Sequence, residues 1–387
     1  MGSHRVIKIE KSEFIDREVY IGGGDTLINA AIGTSQNLDM YANEIIKAKH
    51  AIEAGAGMIT DHSISGNLRA NHLQLRKEIK VPLCAVPIYE LATFNRHFSQ
   101  NDVFDIIEDY LCRGFNILTL HCTALVGDAY GKIDLSKRTI PITSKGGQII
   151  LSYMRRTKEQ NPLYEHFDKV LKIFKEHKAV ISLGPTYRPA SVYDNSLDER
   201  DPYWEEVYRM STLVEKAIQA DVPIIVEGIG HARIDYIPTY VMKTKHLCHN
   251  APYRVLTVST DIALGYDHIA SAIASSIAVL SGGDIITAVT PSEHIGIPST
   301  MDIQDGVISA RIAAHSAELC KGAAIKEDYR MSCIRNKCCS CHGDAKYAIF
   351  QKGAENRIGC GVQEAGCSMC GELCALKNKL AKENKID

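Results

Sequence analysis

Eight short runs rich in aliphatic and β-branched residues alternate with amphipathic helical segments between residues 26 and 321. The predicted strands are residues 26–33, 58–61, 83–89, 116–121, 179–184, 223–227, 255–260 and 284–290. The predicted helices include residues 39–54, 103–113, 164–177, 203–220, 268–281 and 301–321. Parallel strands need crossover connections of this kind, so the pattern predicts an α/β fold, a (βα)8 barrel of the TIM type. An open, doubly wound sheet remains the alternative, because counting strands does not prove closure.

The order of these patterns predicts three parts. Residues 1–25 form an N-terminal segment that begins with a tag-like Met1-Gly2-Ser3-His4, residues 26–321 form a catalytic barrel, and residues 322–387 form a cysteine-rich segment. Eight of the 13 cysteines lie between Cys333 and Cys374, where apolar periodicity is weak. A segment with so few core residues is better organised by a bound metal than by burial.

Composition narrows the class of protein. A hydrophobic content of 45% and a charged content of 23% are typical of a globular protein with a large core. The formal net charge of -2 argues against a nucleic acid or a membrane surface as the main partner. With no secretory signal and no transmembrane run, the clustered cysteines indicate metal ligation in a reducing compartment, so we expect a cytoplasmic protein.

Polar side chains follow six of the predicted strands. They include Tyr89, His121, Arg188, Glu227, His231, Asp261 and His294. The carboxyl ends of the strands form the active-site face of a barrel enzyme, so we expect these side chains to converge. His231 and His294 suit a divalent metal but are too few for a closed structural zinc site, and substrate or water would fill the open positions.

The loop Ser144-Lys145-Gly146-Gly147 precedes a predicted helix. Free N–H groups and the positive end of the helix dipole at such a loop suit a phosphate. An ordinary helix start explains the same residues equally well.

Three cysteines close to the C-terminus form the strongest local motif. Cys367, Cys370 and Cys374 lie within eight residues and could hold three irons of a 4Fe–4S cluster, leaving the fourth iron open. A zinc site completed by Cys360 or Cys341 is equally consistent with the spacing. A second group could bind another metal or consist of bystander thiols: Cys333, Cys338, Cys339, Cys341 and His342.

Several motifs closely resemble the phosphomethylpyrimidine synthase family of radical S-adenosylmethionine enzymes, in order and approximate spacing from about Ile28 onward. They are Glu227-Gly-Ile-Gly-His231, Asn250-Ala-Pro-Tyr253, Thr260-Asp-Ile-Ala-Leu-Gly-Tyr-Asp-His-Ile269, Val289-Thr-Pro-Ser-Glu-His294 and Cys367-Ser-Met-Cys370. The resemblance implies a (βα)8 barrel, a 4Fe–4S cluster, S-adenosylmethionine and a radical rearrangement of 5-aminoimidazole ribonucleotide. It also implies a homodimer and an electron donor such as flavodoxin or ferredoxin.

The resemblance also implies roles for individual residues. Cys367, Cys370 and Cys374 would ligate the cluster, and His231 and His294 would bind a second divalent metal, zinc or iron. The implied substrate contacts are Tyr89, His121, Ser144, Lys145, Gly146, Arg188, Glu227 and Tyr253, with Glu227 and His121 as the catalytic residues.

Four substrate-site positions depart from the family pattern. Ala31 replaces an asparagine, Thr60 a methionine, Lys145 an arginine that could bind phosphate bidentately, and Pro185 an aspartate. The cysteine motif, C-x2-C-x3-C, is also one residue shorter than the family's usual spacing. Altered substrate contacts on an intact radical core resemble the paralogous 5-hydroxybenzimidazole synthases of anaerobic cobalamin synthesis.

The sequence therefore predicts a lyase that converts 5-aminoimidazole ribonucleotide to 5-hydroxybenzimidazole. One alternative is the phosphomethylpyrimidine synthase reaction of thiamine biosynthesis. The other, from a different class, is a non-catalytic iron–sulfur or zinc partner protein on a retired barrel.

Overall fold

The computed structural model describes residues 5–35, 41–322, 324–337, 344–358, 362–363 and 366–367. The strands are β1 (Ile7–Ile9), β2 (Val19–Ile21), β3 (Leu27–Ile32), β4 (Met58–Asp61), β5 (Leu83–Ala85), β6 (Ile117–Leu120), β7 (Val180–Leu183), β8 (Ile224–Ile229), β9 (Tyr253–Leu256), β10 (Ile285–Thr287), β11 (Val362–Gln363) and β12 (Gly366–Cys367). The helices are α1 (Tyr41–Ala54), α2 (Leu68–Glu78), α3 (Pro87–Phe94), α4 (Gln100–Cys112), α5 (Val126–Ala129), α6 (Lys145–Thr157), α7 (Pro162–Glu165), α8 (Phe167–Glu176), α9 (Pro202–Gln219), α10 (Ile237–Leu247), α11 (Asp267–Leu280), α12 (Thr300–Cys320), α13 (Ile325–Lys337) and α14 (Gln351–Ile358).

Strands β3 to β10 form a closed, parallel eight-stranded barrel. Each strand pairs with the next along the chain, and β10 returns to β3 with Ile285 opposite Leu27 and Thr287 opposite Asn29. The structure confirms the predicted (βα)8 barrel and is incompatible with an open sheet. Closure matters for function because it brings the carboxyl ends of all eight strands around one axis.

Several helices begin where the sequence supplies a side-chain cap. Ser99 accepts a hydrogen bond from the N–H of Asp102, whose carboxylate accepts one from the N–H of Ser99, and this capping box starts α4. Asp201 caps α9, with Pro202 at the first helical position, where a missing N–H costs nothing. Ser144 caps α6, the helix that borders the site described below.

Every barrel strand except β4 has bounds that differ from the predicted ones, and the largest differences are at β5 and β9. The predicted strand 83–89 ends at Ala85, because Pro87 starts α3 with its fixed φ and needs no N–H donor there. The predicted strand 255–260 is shifted: β9 begins two residues earlier, at Tyr253, and ends at Leu256. The second difference brings Tyr253 and Arg254 into a barrel strand.

The amino-terminal end of the barrel is closed by an apolar plug. The antiparallel pair β1–β2 packs its buried side chains against residues that begin the barrel strands. The residues of this cluster are Ile7, Ile9, Ile15, Val19, Ile21, Met58, Cys84, Ile117, Val180, Ile225 and Ile285. Water is therefore kept from this end, and the polar interior lies toward the carboxyl ends of the strands.

The chain divides into two compact units, residues 1–314 and 315–387. The second unit contains α13, α14 and the short pair β11–β12. Cys333 lies on α13, and Cys367 ends β12; Cys338, Cys339, Cys341, His342, Cys360, Cys370 and Cys374 fall outside the described residues. Among the described residues, no helix is long and apolar enough to cross a membrane.

Candidate active site

A pocket lies at the polar end of the barrel; we call it the central pocket. Its lining residues are His62, Val86, Tyr89, Thr119, His121, Ser144, Pro185, Arg188, Glu227, Gly228, Arg254, Leu256 and Thr287. The cavity between these residues has a volume of about 80 Å³. The structure thus brings together five of the predicted substrate contacts: Tyr89, His121, Ser144, Arg188 and Glu227.

Glu227, on β8, is held through one of its two carboxylate oxygens. Its Oε1 accepts hydrogen bonds from Thr119 Oγ1 at 2.7 Å, Ser182 Oγ at 2.6 Å and Arg254 Nη1 at 3.2 Å. Burial alone would raise the pKa of Glu227, but the charge of Arg254 and the two hydroxyl donors outweigh it and lower the pKa. Glu227 is therefore a carboxylate at neutral pH.

Arg254 is a pocket residue that the sequence patterns did not predict. It is buried, and its guanidinium reaches residues on four other strands: Thr287 at 2.9 Å, Thr60 at 3.0 Å, Cys84 at 3.5 Å and Glu227 at 3.2 Å. One signal could have revealed it: Arg254 is the only charged residue in the otherwise apolar run of β9.

The ring of His121 fits between two glycines. A Cβ on Gly146 would lie 2.2 Å from His121 Cε1, and one on Gly184 would lie 3.0 Å from His121 Nε2. Burial lowers the pKa of His121 to about 4, so the imidazole is neutral at physiological pH. Its Nδ1 is buried without a hydrogen-bond partner among the described residues, which leaves it available to a ligand.

Two cations at the pocket mouth have no acidic partner among the residues that the structure describes. Lys145, the first residue of α6, holds its Nζ 4.7 Å from the centre of the Tyr89 ring. Arg188 lines the pocket without an ion pair, and its buried Nε is unbonded. Burial raises the pKa of the Tyr89 phenol to about 12, so it remains a neutral donor. Together with the N-terminus of α6, these groups form an anion-binding end.

The loop that carries Arg188 is fixed by buried hydrogen bonds. Glu206, on α9, accepts from the backbone N–H groups of Thr186 and Tyr187, both at 2.7 Å. Arg138 donates to the carbonyl of Tyr187 at 2.6 Å. The guanidinium of Arg188 is thus presented from a rigid backbone although the side chain itself is unpaired.

His62, one residue beyond β4, is a second unpredicted member of the pocket. Burial, together with the nearby charges of Arg254 and Lys145, lowers the pKa of its imidazole to about 4. The ring centre lies 6.0 Å from that of Tyr89, and within the described part of the chain its ring nitrogens have no hydrogen-bond partner. His62 and His121 are therefore two neutral imidazoles available to a ligand.

His231 and His294 lie together, away from the central pocket lining. Their ring centres are 5.1 Å apart. Oδ1 of Asp261 is hydrogen-bonded to Nδ1 of His231 at 2.7 Å, and Oδ1 of Asp267 to Nδ1 of His294 at 2.9 Å. Both Nε2 atoms therefore remain for a ligand. Aspartate-supported imidazoles are the usual arrangement at metal sites. Across the described ranges, no three His, Cys, Asp or Glu side chains form a metal site by themselves.

The loop bearing His231 depends on a glycine at position 230. Gly230 has a φ of +79°, and a Cβ there would lie 2.2 Å from the carbonyl oxygen of Pro189. The close approach allows the N–H of His231 to donate to that carbonyl at 3.0 Å. This contact ties the histidine pair to the loop that presents Arg188.

Three predicted substrate contacts are not among the lining residues: Lys145 at the mouth, Gly146 and Tyr253. Tyr253 is fully buried on the other face of β9, where its hydroxyl lies 3.2 Å from that of Tyr203 on α9. Adjacent strand residues face opposite sides, and Arg254 occupies the pocket side, so the structure places Tyr253 outside the lining and its substrate contact stays a prediction. Gly146 contributes through its missing side chain, by making room for His121.

Thr60, one of the departures from the family pattern, makes two side-chain hydrogen bonds in the barrel. Its hydroxyl accepts from Arg254 at 3.0 Å and donates to Asn29 Oδ1 at 2.8 Å. Ala31, the position of the expected asparagine, lies opposite Thr60 in the β3–β4 register. A methionine at position 60 could not donate to Asn29 and would be only a weak acceptor for Arg254, so this chain has a polar wall where the family pattern has a thioether.

Comparison with known proteins gives one consistent result. A sequence profile described as the radical SAM ThiC family matches residues 3–381. A phosphomethylpyrimidine synthase of Thermoanaerobacter sp. (strain X514) is 37% identical over 370 residues, which cover 92% of this chain and 84% of the relative. Relatives of the same name are 38% identical in Carboxydothermus hydrogenoformans and 37% in Archaeoglobus fulgidus, each covering 92% of this chain and 85% of the relative.

Proposed function

The chain belongs to the radical SAM ThiC family, and from this premise we propose that it binds 5-aminoimidazole ribonucleotide in the central pocket and rearranges it by radical chemistry. One observation carries the proposal: a pocket with an anion-binding end and a carboxylate at its other end matches a ligand with a phosphate and an amino-substituted base. Arg188 and Lys145 supply the positive charges for the phosphate, and Glu227 supplies the acceptor for the base.

The pocket residues hold the nucleotide by complementary hydrogen bonds and charge. Arg188 and the Lys145 ammonium bind the phosphate, since neither has an acidic partner in the described chain, and the positive end of the α6 dipole adds to their charge. The neutral rings of His121 and His62 contact the ribose, where an unprotonated nitrogen can accept from a hydroxyl. The closed apolar plug keeps water from the other end of the barrel.

The cofactors follow from the family and from the chemistry of the residues. When bound, a 4Fe–4S cluster and S-adenosylmethionine supply a 5′-deoxyadenosyl radical, and Cys367, Cys370 and Cys374 would hold the cluster. His231 and His294 fit a second divalent ion, zinc or iron, because Asp261 and Asp267 fix both rings through Nδ1.

Two products are candidates. The names of the relatives support hydroxymethylpyrimidine phosphate, the product made for thiamine, and we take this as the first candidate. The second is 5-hydroxybenzimidazole, which the altered wall of the pocket favours: Thr60 is bonded to Arg254, and Ala31 lacks the amide expected there. Both candidates use the same substrate and the same radical, so they differ only in how the pocket guides the rearrangement.

Anaerobic reconstitution with iron and sulfide, followed by incubation with 5-aminoimidazole ribonucleotide, S-adenosylmethionine and a reductant, tests the proposal. The expected result is 5′-deoxyadenosine together with one of the two products, identified by mass. A benzimidazole would replace the first candidate by the second. An intact cluster that yields neither product nor 5′-deoxyadenosine would contradict the proposal and support the non-catalytic alternative.

The proposed partners are a second copy of the chain and an electron donor of the flavodoxin or ferredoxin class. Both come from the family resemblance. Sedimentation velocity tests the first, and substitution of a chemical reductant by the purified donor tests the second.

A further inference from the structure

Arg254 and Glu227 form a buried ion pair at the centre of the barrel that the family-implied roles do not include. Side-chain exposure is 6% for Arg254 and 16% for Glu227. Bringing two charges out of water is costly unless the geometry is good and the remaining donors are used. Arg254 meets this condition, because Thr287, Thr60 and Cys84 accept its other hydrogen bonds.

All the anchors of Arg254 except Glu227 are uncharged. They lie on three different strands, β10, β4 and β5, so the guanidinium is held in place from across the barrel. Within the described residues, Glu227 is the only acidic group that Arg254 contacts. The position of the guanidinium is therefore set by the barrel wall, and its charge acts on Glu227.

The three hydrogen bonds to Glu227 all end on the same oxygen. Thr119, Ser182 and Arg254 donate to Oε1, and no residue in the described ranges donates to Oε2. Since Glu227 lines the central pocket, the unbonded oxygen is the one available to a ligand. An ionised carboxylate accepts hydrogen bonds but cannot donate one.

We propose that Arg254 is a positioning residue that keeps Glu227 ionised and leaves only Oε2 for the substrate, so that the pocket requires a hydrogen-bond donor on the base of its nucleotide. This inference rests on the proposed function. The only N–H donor on the base of 5-aminoimidazole ribonucleotide is its exocyclic amino group, so the geometry assigns that group to Glu227.

Glu227 is faced by titratable or charged groups from several elements. They are His62 after β4, Cys84 on β5, Tyr89 on α3, His121 after β6, Arg188 after β7 and Arg254 on β9. The pKa values of His62 and His121, about 4, and of Tyr89, about 12, keep these groups uncharged between pH 5 and 8. A change in nucleotide affinity that appears in this range only after loss of Arg254 therefore reports on Glu227.

Calorimetric titration of the isolated full-length protein with 5-aminoimidazole ribonucleotide from pH 5 to 8 tests the inference. At each pH the affinity of the variant is divided by that of the wild type. Protonation of the nucleotide's own phosphate affects both affinities equally and therefore cancels. With Arg254→Met, burial should raise the pKa of Glu227, and the ratio should fall about tenfold or more between pH 8 and pH 5. Arg254→Lys retains the charge, and its ratio should vary much less with pH.

Lys245→Met is the matched control, because Lys245 forms a comparably buried pair with Asp284, 2.5 Å away and outside the central pocket lining. Its affinity ratio should be constant with pH. A constant ratio for Arg254→Met would overturn the inference, as would an equal fall for Lys245→Met.

The unaltered protein provides a second measurement if Arg254→Met does not fold. The imidazole ribonucleotide that lacks the amino group should bind at least about tenfold more weakly than the amino compound, because a buried acceptor would be left unpaired. Equal binding of the two nucleotides would overturn the inference but not the proposed function. Failure of the unaltered protein to bind either nucleotide would instead contradict the proposed function, and the inference with it.

Discussion

Replacing Gly146 with alanine would place a methyl group against the imidazole of His121. The added Cβ would lie 2.2 Å from Cε1 and 2.4 Å from Nδ1 of the ring. Ordinary contacts between such atoms are about 3.5–4 Å, so the ring would have to move by ~1 Å. The backbone of Gly184 is also close to the ring, since a Cβ added there would lie 3.0 Å from Nε2.

The size of the effect follows from this displacement. A misplacement of ~1 Å at a substrate-positioning residue costs about 100-fold in rate, so we expect kcat/KM for 5-aminoimidazole ribonucleotide to fall about 100-fold. Overpacking of this kind also costs about 1–3 kcal/mol in the free energy of unfolding. The variant should still fold, since the contact is confined to one side chain.

Formation of 5′-deoxyadenosine measures the activity, and urea unfolding followed by circular dichroism measures the stability. Gly23→Ala is the control, because its nearest heavy atom would be at 3.5 Å, and it should behave as wild type. In a His121→Ala background the ring is absent, and Gly146→Ala should then cost almost no stability. An undiminished penalty in the double variant, or wild-type activity in Gly146→Ala, would refute the placement of this ring.

Three further predictions follow from single residues. Arg188→Lys should weaken nucleotide binding about tenfold in calorimetry, because a lysine cannot bind phosphate bidentately, whereas Arg200→Lys, exposed and outside the pocket, should not. The pKa of His121 is about 4 in the folded protein and 6.5 in the unfolded chain. Above pH 6.5 the ring is neutral in both states, so His121 does not destabilise the fold there. About 3 kcal/mol should be lost as the pH falls from 6.5 to 4, and unfolding of His121→Gln should lack this component. Asp261→Asn should lower the affinity of the histidine pair for Zn²⁺ about 10- to 100-fold, and an unchanged affinity would argue against a metal there.

The barrel could be predicted from the sequence because its signal is repeated. Each strand of the barrel is a short apolar run between helical segments, and an error of two residues at one boundary does not change the number of units. Closure is confirmed by the pairing of β10 with β3. The family was identified from the order of the motifs and not from periodicity.

Side-chain direction was harder to predict because strands have a period of two. A strand predicted to begin at residue 255 leaves Tyr253 and Arg254 outside it, with no assigned face. In the structure both belong to β9, and the phase of the strand directs Tyr253 toward the helices and Arg254 into the pocket. An error of one residue exchanges the two faces of a strand.

His62 shows a second limit of reading strand ends from sequence. It lies one residue past β4, and its neighbour Asp61 is buried in a hydrogen bond with Tyr41. A lone histidine after a strand is common in structural roles, so the sequence alone gives no reason to select it. Only the closed barrel brings it near Tyr89 and Arg254.

A nucleotide bound in this pocket should give up a ribose hydrogen to a 5′-deoxyadenosyl radical. The most direct measurement uses 5-aminoimidazole ribonucleotide deuterated on the ribose, incubated anaerobically with the reconstituted protein, S-adenosylmethionine and reductant. We predict that deuterium appears in the 5′-deoxyadenosine, as detected by mass spectrometry. Formation of 5′-deoxyadenosine without deuterium would contradict the claim, because the radical would then have taken its hydrogen from another source.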